Sequence, residues 1–134
     1  MPSSQCLTSL SSVLIVEDDA DLREMMAQLL TLEGYRSETA SNGQEALECL
    51  RRADRPDLVL LDLMMPVMDG WEFRRQQRQD PALSGVPVII LSALDQSRLT
   101  ELEGADFLKK PLDFEQLLHV VGRHCRPGDA PSGA

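Results

Sequence analysis

Three short runs of apolar residues, Val13–Val16, Leu58–Leu61 and Val86–Leu91, divide the chain at wide intervals. Each is too short for a helix and rich in Val, Leu or Ile, the pattern of strands buried on both faces. Between them the period changes. Leu22, Met25, Met26, Leu29 and Leu30 fall at i, i+3, i+4, i+7 and i+8, with Gly34 behind them as a stop, which predicts an amphipathic helix lying on a sheet. A shorter strand follows around Tyr35–Ala40. Asn42 and Glu45 form a capping-box pattern that opens a second helix, with Ala46, Leu47 and Leu50 facing inward. Pro56 separates it from the next strand.

The later helical patterns are more polar. Trp71–Gln79 has only Trp71 and Phe73 as apolar residues, and Gln96–Glu103 is short, so both need tertiary support. Gln77 stands four after Phe73 where an apolar residue is expected; either it is buried with a hydrogen-bond partner or the helix rotates. A fifth strand, Asp106–Lys109, ends at Lys110-Pro111. The last helix has Asp113 as N-cap, Gln116 three residues on, and the stripe Phe114, Leu117, Leu118 and Val121. Strand and helix repeated five times imply parallel pairing with right-handed crossovers, a doubly wound α/β sandwich.

With 134 residues, 43% of them hydrophobic, the chain has apolar material for one core. The predicted domain is 13–125, between a flexible N-terminal arm, 1–12, and a flexible tail, 126–134, both of loop composition. No apolar run approaches the roughly 20 residues of a membrane helix, and Met1–Ser12 lacks the features of a secretory signal. A cytoplasmic protein is the expectation. The net charge of −9 would repel a phosphate backbone, which disfavours direct nucleic-acid binding. Cys6, Cys49 and Cys125 fit neither a disulfide framework nor zinc spacing, and the last two read as packing residues.

In such folds ligands sit beyond the carboxyl ends of the strands. Glu17, Asp18 and Asp19 follow the first strand, Asp62 the third, Ser92 and Ala93 the fourth, and Lys110 the fifth. If Asp18 and Asp62 share an edge, their charges repel unless a cation lies between them or one is protonated. Mg²⁺ suits an all-oxygen set with retained waters, and no His or Cys cluster competes for zinc. A carboxylate beside such an ion can attack phosphorus while an amine and a hydroxyl hold the phosphoryl oxygens, which makes Asp62 the nucleophile. The Met64 carbonyl is a further candidate ligand. Asp19 and Asp21 read as ordinary acids of a helix N-terminus, and His119 and His124 as surface or packing residues.

The segments Val13–Asp18 (VLIVED), Leu58–Gly70 (LVLLDLMMPVMDG), Pro87–Ala93 (PVIILSA) and Gly104–Pro111 (GADFLKKP) together resemble a response-regulator receiver domain of two-component signalling, from about Val13 to Cys125. The resemblance implies a flavodoxin-like five-stranded sheet in the order 2-1-3-4-5 with five helices. By position it implies Asp62 as phosphoacceptor, with Glu17, Asp18 and the Met64 carbonyl at Mg²⁺. Ser92 matches the hydroxyl that contacts the phosphoryl group, with Ala93 beside it in the ligand-binding set. Lys110 matches the site lysine, and Phe107 the aromatic that switches with Ser92. The implied donor is a phosphohistidine on a sensor histidine kinase or histidine phosphotransfer protein. Apart from its own phosphorylation and dephosphorylation, no enzymatic activity is implied.

The chain also departs from that pattern. Glu17 stands where Asp is most frequent, Ser92 where Thr is, and Ser92, Gly104 and Lys110 are spaced more closely than in typical receivers, so the fourth helix is expected to be trimmed and the Ala93–Gly104 surface altered. The alternative is therefore a phosphate-independent interaction module with a degenerate site. A phosphohydrolase is disfavoured, because Met64 occupies the place of its second carboxylate. With nothing after Cys125 that resembles an output domain, the response is expected to pass through a partner protein, a homodimer or onward phosphotransfer, unless the chain belongs to a longer protein.

Overall fold

The computed structural model describes residues 11–52, 54–65, 67–93 and 106–125. The predicted arm, tail and Gln96–Glu103 helix fall wholly or largely outside them. Among the described residues, five strands and four helices follow in the order β1 (Ser12–Val16), α1 (Ala20–Leu32), β2 (Arg36–Ala40), α2 (Gly43–Leu50), β3 (Leu58–Asp62), α3 (Gly70–Gln79), β4 (Val88–Ser92), β5 (Asp106–Lys109) and α4 (Phe114–His124), and the helix expected between β4 and β5 lies outside those residues. All pairings are parallel, in the order β2-β1-β3-β4-β5. No described helix is long and apolar enough to cross a membrane.

Side-chain alternation along the strands builds two cores. In β1, Val13 and Ile15 join Met26 and Leu30 of α1 and Leu117 and Val121 of α4 on one face. Leu14 and Val16 point the other way, onto Ala46, Leu47 and Leu50 of α2 and Phe73 of α3. Opposite faces of one apolar strand thus bury different helices, as a period of two requires.

The helix ends largely follow the sequence signals. Asp19 caps α1, accepting from the N–H groups of Asp21 and Leu22; Asp69 caps α3 and Asp113 caps α4. Gly34 ends the first helical unit at φ 95°, a conformation glycine adopts without strain. Asn42 caps α2 through the Glu45 N–H, but Glu45 returns to the N–H and hydroxyl of Ser41 rather than to Asn42, so the box closes one residue early. Met25, expected on the inward stripe, is 52% exposed. It sits at the edge of the stripe, and Met26 and Leu30 alone are fully buried on α1.

Gln77 takes the first of its two expected courses. It is fully buried on α3, its amide nitrogen donating to the Leu83 and Val86 carbonyls (3.0 and 2.9 Å) and its oxygen accepting from Arg74 (2.8 Å). The polar side chain ties α3 to the loop that feeds β4.

Candidate functional site

Parallel register carries the ends of β1, β3, β4 and β5 to one rim. Val16 pairs with Leu61, so Glu17 follows alongside Asp62; Asp62 pairs with Leu91 and Ser92 with Lys109. The Lys110 N–H donates to the Ser92 carbonyl at 2.8 Å, tying the exits of β4 and β5. Lys110 is joined to Pro111 by a cis peptide bond.

At this rim one carboxylate oxygen from each of Glu17, Asp18 and Asp62 lies within 4.8 Å of the others. Glu17 and Asp62 are buried (1% and 4% exposed), whereas Asp18 is open to solvent. The Lys110 ammonium donates to Glu17 Oε1 at 3.0 Å and stands 3.4 Å from Asp62 Oδ1. Asp62 also receives a long contact, 3.4 Å, from the Met64 N–H. Three acids and one amine predicted from the sequence therefore meet.

Burial pushes the Asp62 carboxyl up to about 6, and the charge of Glu17 adds to the effect; Lys110 and the Met64 N–H oppose it without cancelling it. Burial pulls Lys110 down, but Glu17 and Asp62 outweigh it, and its ammonium is held above the usual lysine range. Three clustered carboxylates, two of them in contact with one ammonium, leave two negative charges uncompensated, the charge of one divalent cation. The available donors are oxygens, and exposed Asp18 leaves room for waters. These features fit Mg²⁺.

Ser92 is buried at the end of β4, and Ala93 is exposed just beyond it. Phe107 pairs in register with Ile90, two residues before Ser92, and packs half-buried against the core shared by α2 and α3. Asp19 takes its expected capping role outside the acid cluster. His119 is exposed on α4, while His124 makes a 2.7 Å contact with Asp106 at the opposite end of β5 from Lys110.

Sequence reasoning missed Arg23. From α1 its guanidinium donates to the Glu17 carbonyl at 2.7 Å, while the Glu17 side chain accepts from the Asp19 N–H at 3.2 Å. An arginine four residues after a cap gives no signal that it turns back to hold a strand end. It also missed Val67, an exposed β-branched residue at φ 67° in the loop after β3.

The chain matches the family model of the response regulator receiver domain over residues 13–122. It is 39% identical over 125 residues to the response regulator MprA of Mycobacterium leprae, covering 88% of this chain and 54% of that protein. It is likewise 39% identical over 127 residues to the transcriptional regulatory protein CpxR homolog of Haemophilus influenzae, covering 92% and 54%. The chain thus spans about half the length of these curated relatives. Among solved structures, it superposes with a TM-score of 0.77 on the signal receiver domain of a signal transduction histidine kinase from Syntrophus aciditrophicus, at 38% identity and covering 84% of this chain and 88% of that one. The receiver domain of sensor histidine kinase PA1611 from Pseudomonas aeruginosa, whose structure has a magnesium ion coordinated in the active site cleft, gives a TM-score of 0.75 at 29% identity, covering 87% and 98%.

Proposed function

The chain belongs to the response regulator receiver domain family, and on that premise we propose that Asp62 is its phosphoacceptor, with Glu17, Asp18, Asp62 and the Met64 carbonyl as ligands of Mg²⁺. The observation that carries this reading is the meeting of the three carboxylates beside the Lys110 ammonium at one rim of the sheet. An oxygen of Asp62 bonds to phosphorus as the N–P bond of a phosphohistidine on a sensor kinase or phosphotransfer protein breaks. The electron pair returns to the imidazole nitrogen, which takes up a proton from solvent.

When bound, Mg²⁺ neutralises charge on the transferring phosphoryl oxygens. Lys110 supplies a second positive charge, moving from Glu17 toward the new phosphoryl group. The Ser92 hydroxyl and the Ala93 N–H bind the remaining oxygens. Phe107, on the same sheet face as Ser92, follows that hydroxyl and carries the change into the core, so phosphorylation shifts a two-state equilibrium by contacts made in only one state. Water attack on the acylphosphate resets it. A cytoplasmic site of action follows from the kinase donor.

Titrating ¹⁵N-labelled protein with beryllofluoride and Mg²⁺ tests the whole site, because this mimic occupies the position of a phosphoryl group on Asp62. The expected result is slow-exchange displacement of the Ser92, Ala93 and Lys110 amide resonances. Spectra that do not respond would favour the phosphate-independent interaction module.

A further inference from the structure

The connection between β3 and α3 follows directly on Asp62 and contains Met64, yet its conformation is not a relaxed one. Val67 lies at φ 67°, a region that β-branched residues rarely occupy because Cβ crowds the backbone. Such strain persists where the surroundings over-determine the backbone. Two contacts do so here. The Gly70 N–H donates to the Leu63 carbonyl at 2.9 Å, closing the connection on itself, and the Gly43 N–H, from the first turn of α2, donates to the Met68 carbonyl at 2.9 Å.

Both contacts need glycine. A Cβ on Gly70 would lie 2.7 Å from the Asp62 carbonyl and 2.8 Å from Leu63 Cα. A Cβ on Gly43 would lie 2.9 Å from the Met68 carbonyl oxygen and 2.8 Å from its Cγ. Gly43 belongs to a different element, and the Asn42 cap already accounts for the start of α2. Its bare Cα therefore serves the approach of α2 to this connection rather than the helix itself.

We propose that Gly43 is a positioning residue for cation binding: it lets the N-terminus of α2 grip the Met68 carbonyl and so fixes the strained segment that presents the Met64 carbonyl beside Asp62. This rests on the assignment of Met64 and Asp62 as ligands made above. Substitution at Gly43 moves the grip point and loosens the cation site without touching a ligand.

The test is an amide-resonance titration with MgCl₂ on the parent, Gly43→Ala, Asn42→Ala and Gly85→Ala, with thermal unfolding of each. Asn42→Ala removes the α2 cap and lowers stability without adding a Cβ, and a Cβ at Gly85 meets nothing within 4 Å. The parent and both controls should share one Mg²⁺ dissociation constant, whereas Gly43→Ala should raise it about tenfold, as loss of support behind a metal ligand does. Equal constants in Gly43→Ala and the parent, or equal rises in Gly43→Ala and Asn42→Ala, overturn the proposal. Should Gly43→Ala not fold, Gly43→Ala/Met68→Ala removes the clash with the Met68 side chain but keeps the 2.9 Å clash of the new Cβ with the residue 68 carbonyl, which displaces the grip. Affinity weaker than that of Met68→Ala alone supports the grip, and equal affinity refutes it. A parent that binds no Mg²⁺ refutes the ligand assignment instead.

Discussion

The Lys110 ammonium sits nearer to Glu17 than to Asp62, at 3.0 against 3.4 Å. The extra methylene of Glu17, at a position where the family most often has Asp, lets a carboxylate anchored at the end of β1 reach across the rim to β5. Glu17 is itself held from behind by Arg23 on its carbonyl and by the Asp19 N–H on its second oxygen. Lys110 is thus a counter-ion shared by Glu17 and Asp62, with Glu17 its nearer partner. Removing it by Lys110→Met leaves two buried carboxylates without a cation. The variant should lose about 2 to 3 kcal/mol in EDTA, less than a fully buried pair because Lys110 is partly exposed, and Mg²⁺ should restore much of it in urea titrations. A loss unaffected by Mg²⁺ would argue against a shared role.

Asp62 gives a pH dependence of definite sign. Its folded-state value of about 6 lies above the ordinary 3.8, so the native state holds the proton more tightly than the unfolded chain. The resulting penalty is absent below about pH 4, grows as pH rises from 3.8 to 6, and is complete above that. Asp62→Asn should therefore be more stable than the parent above pH 6 in EDTA, by the order of 2 kcal/mol, with the difference vanishing near pH 3.5. Urea unfolding across this range measures it.

Mg²⁺ should stabilise the parent selectively. A ligand that binds only the folded state contributes about 2.7 kcal/mol at a hundredfold excess over its dissociation constant. For a domain of this size that is a rise of about 10 °C in Tm. Asp62→Asn, lacking one of the proposed ligands and its charge, should show a much smaller rise at the same concentration by calorimetry.

Gln77→Leu separates stability from function. Leucine fills a similar volume but takes from the Leu83 and Val86 carbonyls the amide that donates to them, and from Arg74 the Gln77 oxygen, which should cost about 2 to 3 kcal/mol. Because this network lies at the far end of α3 from the rim, Mg²⁺ affinity should remain that of the parent.

Much of this arrangement was legible in the chain. Continuous apolar runs such as Leu58–Leu61 can be buried only on both faces, and they fixed the parallel sheet; acids or an amine placed directly after such runs had to converge at one rim. What escaped was whatever depends on approach across the fold. The seven residues from Leu63 to Asp69 contain no periodic signal, so neither the φ of Val67 nor the grip of Gly43 on Met68 could be read. Arg23 looked like any solvent-facing helix arginine, and the return of Glu45 to Ser41 is a matter of side-chain reach rather than spacing. Gln77 was readable as an anomaly but not as a solution, because the carbonyls to which it donates lie on a loop whose path only tertiary packing determines.

The central claim, that Asp62 accepts a phosphoryl group at a Mg²⁺ site, is tested most directly by intact mass. The parent and Asp62→Asn are each incubated with acetyl phosphate and MgCl₂, and the parent also with EDTA. A gain of one phosphoryl group in the parent with Mg²⁺, absent from the variant and from the EDTA sample, is the predicted result. Equal labelling of parent and variant, or labelling indifferent to the metal, would contradict it.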